Sequence, residues 1–294
     1  MDLADTYTQM RPQLLSIAYN MLGSLSEAED VVQDVYVRIR RVADESSIES
    51  PAAYLTTITT RLALDQLRSA RLSRRAYPGA WLPEPVLTDP TPGPSERSEL
   101  AETLSLALLT VLERLSPNER AVFLLHESFG YAYDEIANIL GKSEANCRQI
   151  GARARRHIAA HRPRFDVASD RHQELTDRFV AACREGRVEQ LLELLTADVV
   201  AYSDGGMNVR AALRPIHGRD KVARFLTGIA RRGGSDFALR PIWVNGQPAQ
   251  LILDAPSHNI IGVLTLDIVG EQIQTVRIIV NPDKLRHLPE TLGQ

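Results

Sequence analysis

Residues 141–158, GKSEANCRQIGARARRHI, bring together side chains that can hydrogen-bond to the edges of nucleic-acid bases. Glutamate can accept from cytosine, arginine can pair with guanine, and asparagine or glutamine can pair with adenine. The residues of these types on the leading turns are Glu144, Asn146, Arg148 and Gln149. The cations better suited to phosphates, which give affinity without sequence information, are Lys142, Arg153, Arg155 and Arg156.

Two short helices must position these side chains. AYDEIANIL is followed by a turn that contains Gly141, and Ser143 is typical of a residue that caps the next helix. A capped N-terminus of this kind can also face a phosphate. The arrangement is a helix-turn-helix, whose second helix can enter the major groove of DNA. A solvated basic helix in a bundle is the alternative, but the turn, the cap and the charge coincide as DNA docking requires.

The composition is that of an ordinary folded protein, with 44% apolar and 24% charged residues in a chain of 294. A chain of this length allows one to three domains. Its two cysteines, Cys147 and Cys183, form no CxxC pair, so neither a disulfide framework nor a structural zinc site is expected. Cys147 lies on the cationic helix, where a small apolar thiol is expected to pack against its neighbour rather than to sense oxidants.

The first ten residues, MDLADTYTQM, lack the basic start and the apolar run of a signal peptide. No apolar run approaches the roughly 18 residues that a membrane-spanning helix needs. We therefore expect a cytoplasmic protein with no membrane partner, no metal and no cofactor.

The pattern along the chain predicts two helical domains, a linker between them and an α+β domain. In chain order the first helical domain, the linker, the second helical domain and the α+β domain occupy residues 1–76, 77–99, 100–165 and 166–294. Residues 78–99 hold six prolines and two glycines, which predicts an extended segment. Trp81 and Leu82 are unusual in a solvated tether, so we expect them to dock on a surface.

Two helices of the first domain differ in charge. SEAEDVVQDVYVRIRR places Glu27, Asp30 and Asp34 near one face, three or four residues apart. An acidic face cannot bind DNA but can bind a basic protein surface, although such a pattern is more often a solvated face. The next helix begins at Pro51 and carries Tyr54 with several arginines, which could hold a DNA backbone and an unstacked base.

These segments resemble a known family. AEDVVQDVYVRI, AYLTTITTRLALDQLRSAR and LSPNERAVFLLHESFGYAYDEIANILGKSEANCRQIGARARR are similar to regions 2 and 4 of extracytoplasmic-function (group 4) sigma factors, over residues 3–165. The resemblance implies promoter-specific initiation with core RNA polymerase. Region 2 would bind the β′ clamp helices and melt the −10 element, and region 4 would read the −35 element and contact the β flap.

The resemblance also assigns residues. The polymerase-facing motif corresponds to Asp30, Gln33 and Asp34. The −10 contacts would come from Tyr54, Arg61, Asp65, Arg68 and Arg71. Arg61 stands where many relatives have asparagine, so the −10 base preference is not carried over. The −35 contacts would come from Lys142, Ser143, Glu144, Asn146, Arg148, Gln149, Arg153 and Arg156.

WLPEP in the linker, YSDGG at residues 202–206 and NPDKL at residues 281–285 resemble the group of these sigma factors with a SnoaL-like (NTF2-like) extension. That fold is a cone of helices against a curved sheet, and the extension would regulate the sigma factor in cis. The residues expected to contact the linker or the sigma domains are Trp81, Leu82, Asp204, Gly205, Gly206, Asn281, Asp283 and Lys284.

Catalysis in the extension would need a carboxylate or an imidazole converging in an apolar pocket. The candidates are Asp204, His217, Asp254 and His258. A histidine beside a turn, such as His217, is more often a surface hydrogen-bonding group, so we expect no catalytic residue. Binding of a small-molecule ligand inside the cone is an alternative that the sequence leaves open.

The sequence therefore predicts a promoter-specific initiation factor regulated by its own C-terminal domain. One alternative is a one-component helix-turn-helix regulator with a ligand-binding domain, which leaves the acidic helix unexplained. A second is a DNA-tethered cyclase or isomerase. Truncation after about residue 165 is expected to raise promoter output if the extension restrains the sigma domains.

Overall fold

The structure, a computed structural model, describes residues 2–43, 48–88, 104–160, 169–233 and 237–289. The predicted linker residues 89–99 and the truncation point at residue 165 lie outside these ranges. The chain forms two compact units. We call Met1–Arg75, Thr91–Leu104 and Leu108–Arg162 the helical unit, and Ala76–Pro90, Ser105–Ala107 and Pro163–Gln294 the sheet unit.

The N-terminal half of the described chain is helical. Its helices are α1 Leu3–Leu22, α2 Leu25–Ile39, α3 Pro51–Arg75, α4 Leu106–Leu112, α5 Pro117–Phe123, α6 Tyr133–Leu140 and α7 Glu144–Ala159. One π-turn, Leu124–Ser128, continues α5. Both predicted helical domains fall mainly in the helical unit, and the start of the predicted linker falls in the sheet unit. The predicted domain boundaries stay a prediction.

Local sequence signals fix the helix ends. Gly23 adopts φ 70° and ends α1, and the Ser24 side chain then accepts from the Glu27 N–H at the start of α2. At α5, Ser116 and Glu119 form a reciprocal capping box, with Pro117 at the first helical position. These caps satisfy backbone N–H groups that have no partner within the helix.

The helix-turn-helix of α6 and α7 depends on close packing at one glycine. Gly141 closes α6 with φ 62°, and the Ser143 side chain accepts from the Asn146 N–H at 3.3 Å. A Cβ at Gly151 would lie 2.7 Å from the Tyr133 hydroxyl, so a larger residue there would displace the Tyr133 side chain from its place between the two helices. Cys147 is fully buried between them, which confirms the prediction that it packs.

A buried charged cluster connects four helices of the helical unit. Arg120 is 1% exposed, forms an ion pair with Glu113 and donates from its Nε and Nη2 atoms to the Asn20 carbonyl at 3.2 and 3.0 Å. Arg74 forms an ion pair with Glu113 at 2.7 Å and donates to the Leu22 carbonyl at 2.7 Å. Burial alone would raise the pKa of Glu113, but Arg120 and Arg74 outweigh it and lower that pKa.

The sheet unit contains a six-stranded mixed sheet with strand order β2-β1-β6-β5-β4-β3. The strands are β1 Leu195–Asp204, β2 Ile216–His217, β3 Phe237–Val244, β4 Gln247–Asp254, β5 Ile260–Val269 and β6 Gln272–Ile279. The helices are α8 Ser169–Glu185, α9 Val188–Leu194, α10 Arg219–Gly233 and α11 Pro282–Leu285. The β1–β6 pair is parallel and the other pairs are antiparallel.

Apolar residues of three helices and three strands form the core of this unit. Leu175 and Phe179 of α8, Leu226 of α10, and Leu266 and Val276 of the sheet belong to one buried cluster. Helices packed against a mixed sheet make the α+β class that the sequence predicts, and the predicted fold class is confirmed. None of the helices in the described ranges is both long and apolar enough to cross a membrane.

His172 lies inside the sheet unit as a neutral hydrogen-bonding group. Its side chain is buried on α8, and the Nε2 atom lies 3.1 Å from the Leu266 carbonyl oxygen. An imidazole must carry its proton on Nε2 to donate to that carbonyl. Burial lowers the pKa of His172, although the Leu266 carbonyl and the Asp267 carboxylate oppose the effect.

We predict that the stability of the chain falls in acid partly through His172. The unfolded chain protonates this histidine near its ordinary pKa of 6.5, whereas the folded chain resists protonation. The unfolded state therefore binds more protons below that pH, and the free energy of unfolding decreases as pH falls. Thermal unfolding at about pH 7.5 and about pH 5.5 measures the effect.

The variant His172→Gln keeps a donor for the Leu266 carbonyl and removes the titration. Its Tm should change less between the two pH values than that of the parent chain. The exposed His217→Gln is the matched control and should behave as the parent does. An equal pH dependence in all three proteins would contradict the assignment.

Candidate functional site

Helix α7 presents its predicted base-reading residues to solvent. Glu144, Asn146, Arg148 and Gln149 are exposed, while the other face of the helix is buried through residues such as Ile150. The N-terminus of α7 therefore offers polar side chains on one side and a packed scaffold on the other. That is the geometry in which a recognition helix can enter a major groove.

Ion pairs hold several cations of α7 in place. Arg148 contacts Glu144 at 2.5 Å, and its guanidinium carbon lies 5.0 Å from the Tyr133 ring centroid. Arg155 contacts Glu127 at 3.0 Å, and Arg153 lies 3.7 Å from Glu119. The predicted phosphate contacts Arg153 and Arg156 are exposed, and Lys142 is half-buried.

Helix α2 presents the predicted polymerase-facing residues on its outer side. Asp30, Gln33 and Asp34 are exposed, whereas Val31, Val32, Val35 and Ile39 are buried against the helical unit. Tyr36 and Val37 on the next turn are 43% and 40% exposed, which is unusual for large apolar side chains. Acidic and apolar groups side by side suit a protein partner more than a nucleic acid.

Helix α3 uses two of its predicted −10 residues inside the protein. Arg61 donates to the Ile139 carbonyl at 2.8 Å, and Arg71 donates to the Glu113 carbonyl at 3.1 Å and to the Leu115 carbonyl. The other three predicted residues make no such contact: Tyr54 is half-buried, and Asp65 and Arg68 form an exposed pair at 2.9 Å. Contact of Arg61 and Arg71 with DNA would require breaking these bonds to carbonyls.

Comparison with known proteins identifies the family of the two helical domains. The family model Sigma-70 region 2 matches residues 6–73, and Sigma-70, region 4 matches residues 105–158. ECF RNA polymerase sigma factor SigJ of Mycobacterium tuberculosis is 34% identical over 96% of this chain and 93% of its own length. The chain belongs to the ECF RNA polymerase sigma factors.

A further relative and a solved structure match over a similar length. The probable ECF RNA polymerase sigma factor SigI of M. tuberculosis is 34% identical over 96% of this chain and 94% of its own length. The crystal structure of M. tuberculosis SigJ superposes with a TM-score of 0.76 at 30% identity, covering 98% of this chain and 100% of that one. The likeness therefore includes the sheet unit as well as the helical unit.

The ECF sigma factor is thus a promoter-specific initiation factor that works with core RNA polymerase and promoter DNA, and its C-terminal domain is regulatory. Membership of this family sets aside the alternative of a one-component helix-turn-helix regulator. The helical domains belong to non-enzymatic transcription factors.

In the sheet unit of this sigma factor, Asp204 at the end of β1 binds the linker. Asp204 is 1% exposed and accepts from the Leu82 N–H at 2.8 Å, from the Tyr77 hydroxyl at 2.5 Å and from the Gly206 N–H at 3.1 Å. Lys284 of α11 donates to the same carboxylate at 2.7 Å and also to the Leu82 carbonyl. We call this set of contacts the linker clamp.

The other side of the linker is aromatic and faces the same lysine. The Lys284 ammonium lies 4.0 Å from the Trp81 ring centroid and 5.3 Å from the Tyr77 ring centroid. Asn281 donates to the Tyr77 hydroxyl at 2.9 Å. Burial, followed by the hydrogen bond to Asp204, raises the pKa of Tyr77. The tyrosine is therefore a neutral donor at physiological pH.

A second attachment holds the linker at the β3–β4 hairpin. The Val86 N–H donates to the Asn245 side chain at 3.0 Å, and the Asn245 N–H donates to the Val86 carbonyl at 2.8 Å. The Thr88 N–H donates to the Trp243 carbonyl at 3.0 Å. His287 lies 2.6 Å from the Pro85 carbonyl oxygen. The linker is thus bound at both ends of WLPEP.

Most residues predicted for the C-terminal contacts lie at the clamp. A Cβ at Gly205 would lie 2.2 Å from the Val209 carbonyl oxygen, and one at Gly206 would lie 2.7 Å from Asn281, so both positions need glycine. Asp283 is different: it is exposed and pairs with Arg286 at 2.5 Å. The sequence did not predict the linker contacts of Tyr77, Asn245 and His287. Among these, only Asn245 has a local signal, the Asn-Gly pair that is typical of a hairpin turn.

The linker clamp predicts a specific response to Asp204→Asn. The change leaves buried Lys284 without its counter-charge, which costs about 3 kcal/mol and should raise the population of released linker on the order of 100-fold. In a Trp243→Phe background Trp81 is the remaining tryptophan of the two. Its emission should shift to the red, and collisional quenching should increase.

The matched control is Asp283→Asn. It removes the same charge from an exposed carboxylate on α11, the short helix that carries Lys284. The control should leave the Trp81 emission unchanged. Identical spectra for the two variants would show that Asp204 does not retain the linker.

Proposed function

We propose that the sheet domain of this ECF sigma factor restrains promoter engagement by holding the linker through Asp204. The single observation that supports this proposal is the buried Asp204–Lys284 pair, which also binds Tyr77 and Leu82 of the linker. A regulator that acts on the linker does not need to cover the DNA-binding or polymerase-binding residues themselves.

Reach is the physical basis of the restraint. Twelve residues, 77–88, lie against the sheet unit, and an extended chain spans at most about 3.4 Å per residue. Holding them fixes a stretch that could otherwise extend up to about 40 Å in any direction, so only the rest of the linker stays free to let the two helical domains separate. In the engaged state region 2 and region 4 must bind separate promoter elements, so release of the linker should precede or accompany engagement.

The polymerase contacts follow from the exposed faces. We propose that Asp30, Gln33 and Asp34 bind the β′ clamp helices, with Val37 adding apolar contact, and that region 4 contacts the β flap. The protein would then act in the cytoplasm, where the polymerase is. The exposure of the α2 face supports binding without rearrangement of the helical unit.

The variant Asp34→Lys should therefore lose affinity for core RNA polymerase. Reversal of one interface charge costs about 2 kcal/mol or more, or about 30-fold in Kd. Fluorescence anisotropy of labelled sigma factor with purified core enzyme measures the change. Asp198→Lys makes the same charge change on an exposed residue of the sheet unit and should bind as the parent does. Equal loss in both variants would count against this surface.

The DNA contacts divide between two helices. We propose that α3 contacts the −10 element through Tyr54, Arg61, Asp65, Arg68 and Arg71. We propose that α7 reads the −35 element through Ser143, Glu144, Asn146, Arg148 and Gln149, with Lys142, Arg153 and Arg156 on phosphates. The exposure of the leading turns of α7 supports direct base contact there.

We further propose that the sheet domain regulates and does not catalyse. Of the four sequence candidates, Asp204 is engaged in the linker clamp. Asp254 accepts hydrogen bonds from the Ser257 hydroxyl and, at 3.0 Å, from the Ser257 N–H, and these bonds lower its pKa. His258 is in the same turn with φ 57°. His217 lies on the edge strand β2. These positions give no convergence in one apolar pocket.

In vitro transcription with core polymerase tests the restraint. Asp204→Asn and truncation after residue 165 should both raise promoter output. The increase should not exceed the increase in released linker, which is on the order of 100-fold. Asp283→Asn should match the parent. Output that stays equal or falls in both test proteins would make the extension neutral or activating and would overturn the restraint.

A further inference from the structure

A large apolar cavity lies inside the sheet domain, next to the linker clamp but separate from it. Its volume is about 630 Å³, within the range of small-molecule sites. The walls come from α8, α10 and one face of the sheet, with Phe179, Phe225, Leu239 and Ile278 among them. The volume and the apolar lining together suit a medium-sized organic molecule.

The charged side chains of the described cavity lining are both cationic and both exposed to solvent. Arg210 and Arg232 line the cavity and are exposed to solvent, and neither forms an ion pair with another described residue. The described lining includes no carboxylate and no imidazole. Ile229 and Ile261, each 42% exposed, complete an apolar rim. Burial in these surroundings raises the pKa of the lining thiol Cys183 to about 12.

We infer that this cavity binds an amphipathic acid, with its apolar body in the cone and its anionic group at Arg210 and Arg232. Charge complementarity selects the anion, because a cation would meet two guanidinium groups and no counter-charge in the described lining. The absence of an acid–base residue from that lining makes the ligand an effector rather than a substrate.

The same backbone segments form the cavity wall and the linker clamp. On β1, Ser203 faces the cavity, and the next residue, Asp204, binds the linker. After β6, Val280 lines the cavity and Asn281 binds Tyr77, while the Val280 N–H donates to the Asp204 carbonyl at 2.8 Å. Alternation of side chains along a strand places successive residues on opposite faces.

The loop between β1 and β2 makes a third connection. Val209 to Ala212 line the cavity, and the Ala212 N–H donates to the Ser203 hydroxyl at 2.7 Å. The outer side of this loop meets the linker, where the Ala212 carbonyl oxygen would lie 3.5 Å from a Cβ at Gly79. A ligand that fits the cavity in this arrangement therefore favours the clamped linker, because it binds that state better than the released one. This coupling rests on the proposed function.

The first experiment uses the full chain and a defined probe. The fluorescent acid 11-(dansylamino)undecanoate is titrated, and dodecanoate, dodecanol and dodecylamine are compared as competitors. We expect saturable binding, with dodecanoate the strongest competitor. Ala230→Phe fills the cavity and should weaken binding about tenfold, the effect of an overpacking cost between 1 and 2 kcal/mol.

The exposed double variant Arg210→Gln/Arg232→Gln keeps the cavity and removes its charges. It should lose most of the preference for dodecanoate over dodecanol while still binding the alcohol. Absence of saturable binding, or equal binding by all variants, would overturn the site. Loss of probe binding at concentrations where sedimentation shows a dimer would assign the apolar rim to self-association and would also overturn it.

The second experiment measures the coupling. Asp204→Asn should lower the affinity for dodecanoate about fivefold or more, because coupling between two sites is reciprocal. In an Asp204→Asn/Trp243→Phe background, where part of the linker is released, saturating dodecanoate should shift Trp81 emission to the blue. Acid binding without either effect would overturn the coupling and leave the transcription result for Asp204→Asn standing, so failure of this inference can be told from failure of the linker restraint.

Discussion

A buried carboxylate must be paired and hydrogen-bonded, and in this sigma factor the linker supplies part of that requirement for Asp204. The sheet domain provides Lys284 and the Gly206 N–H, and the linker provides the Tyr77 hydroxyl and the Leu82 N–H. The polar balance of the regulatory domain is therefore complete only when the linker is in place. When the linker binds, it also completes the hydrogen bonds of the buried Asp204 carboxylate.

In the helical unit, several arginines are likewise paired or hydrogen-bonded. Arg61, Arg71 and Arg74 of α3 donate to backbone carbonyls or pair with Glu113, and Arg120 donates to the Asn20 carbonyl. Groups that suit phosphates are thus satisfied inside the free protein by the ends of other helices. Under the proposed −10 assignment, Arg61 and Arg71 would have to exchange these carbonyls for promoter DNA, so DNA binding would compete with bonds inside the protein.

Much of the fold and part of the site could be predicted from the sequence. The caps at Ser116 and Ser143 have short-range signals, and the structure bears both out. The linker contacts of Tyr77 and Asn245 depend on residues far away in the chain, for which spacing gives no signal. The bond from Arg61 to the Ile139 carbonyl is equally invisible, because every residue has a carbonyl group.

Pro83 and Pro85 have a consequence for how the linker leaves its site. Each proline fixes φ, so the unbound WLPEP stretch has fewer conformations to lose when it docks. The buried ion pair and a few hydrogen bonds can then keep the docked state the more populated one. A stiff segment of this kind also resists peeling residue by residue, which favours all-or-none departure and a sharp threshold in the response.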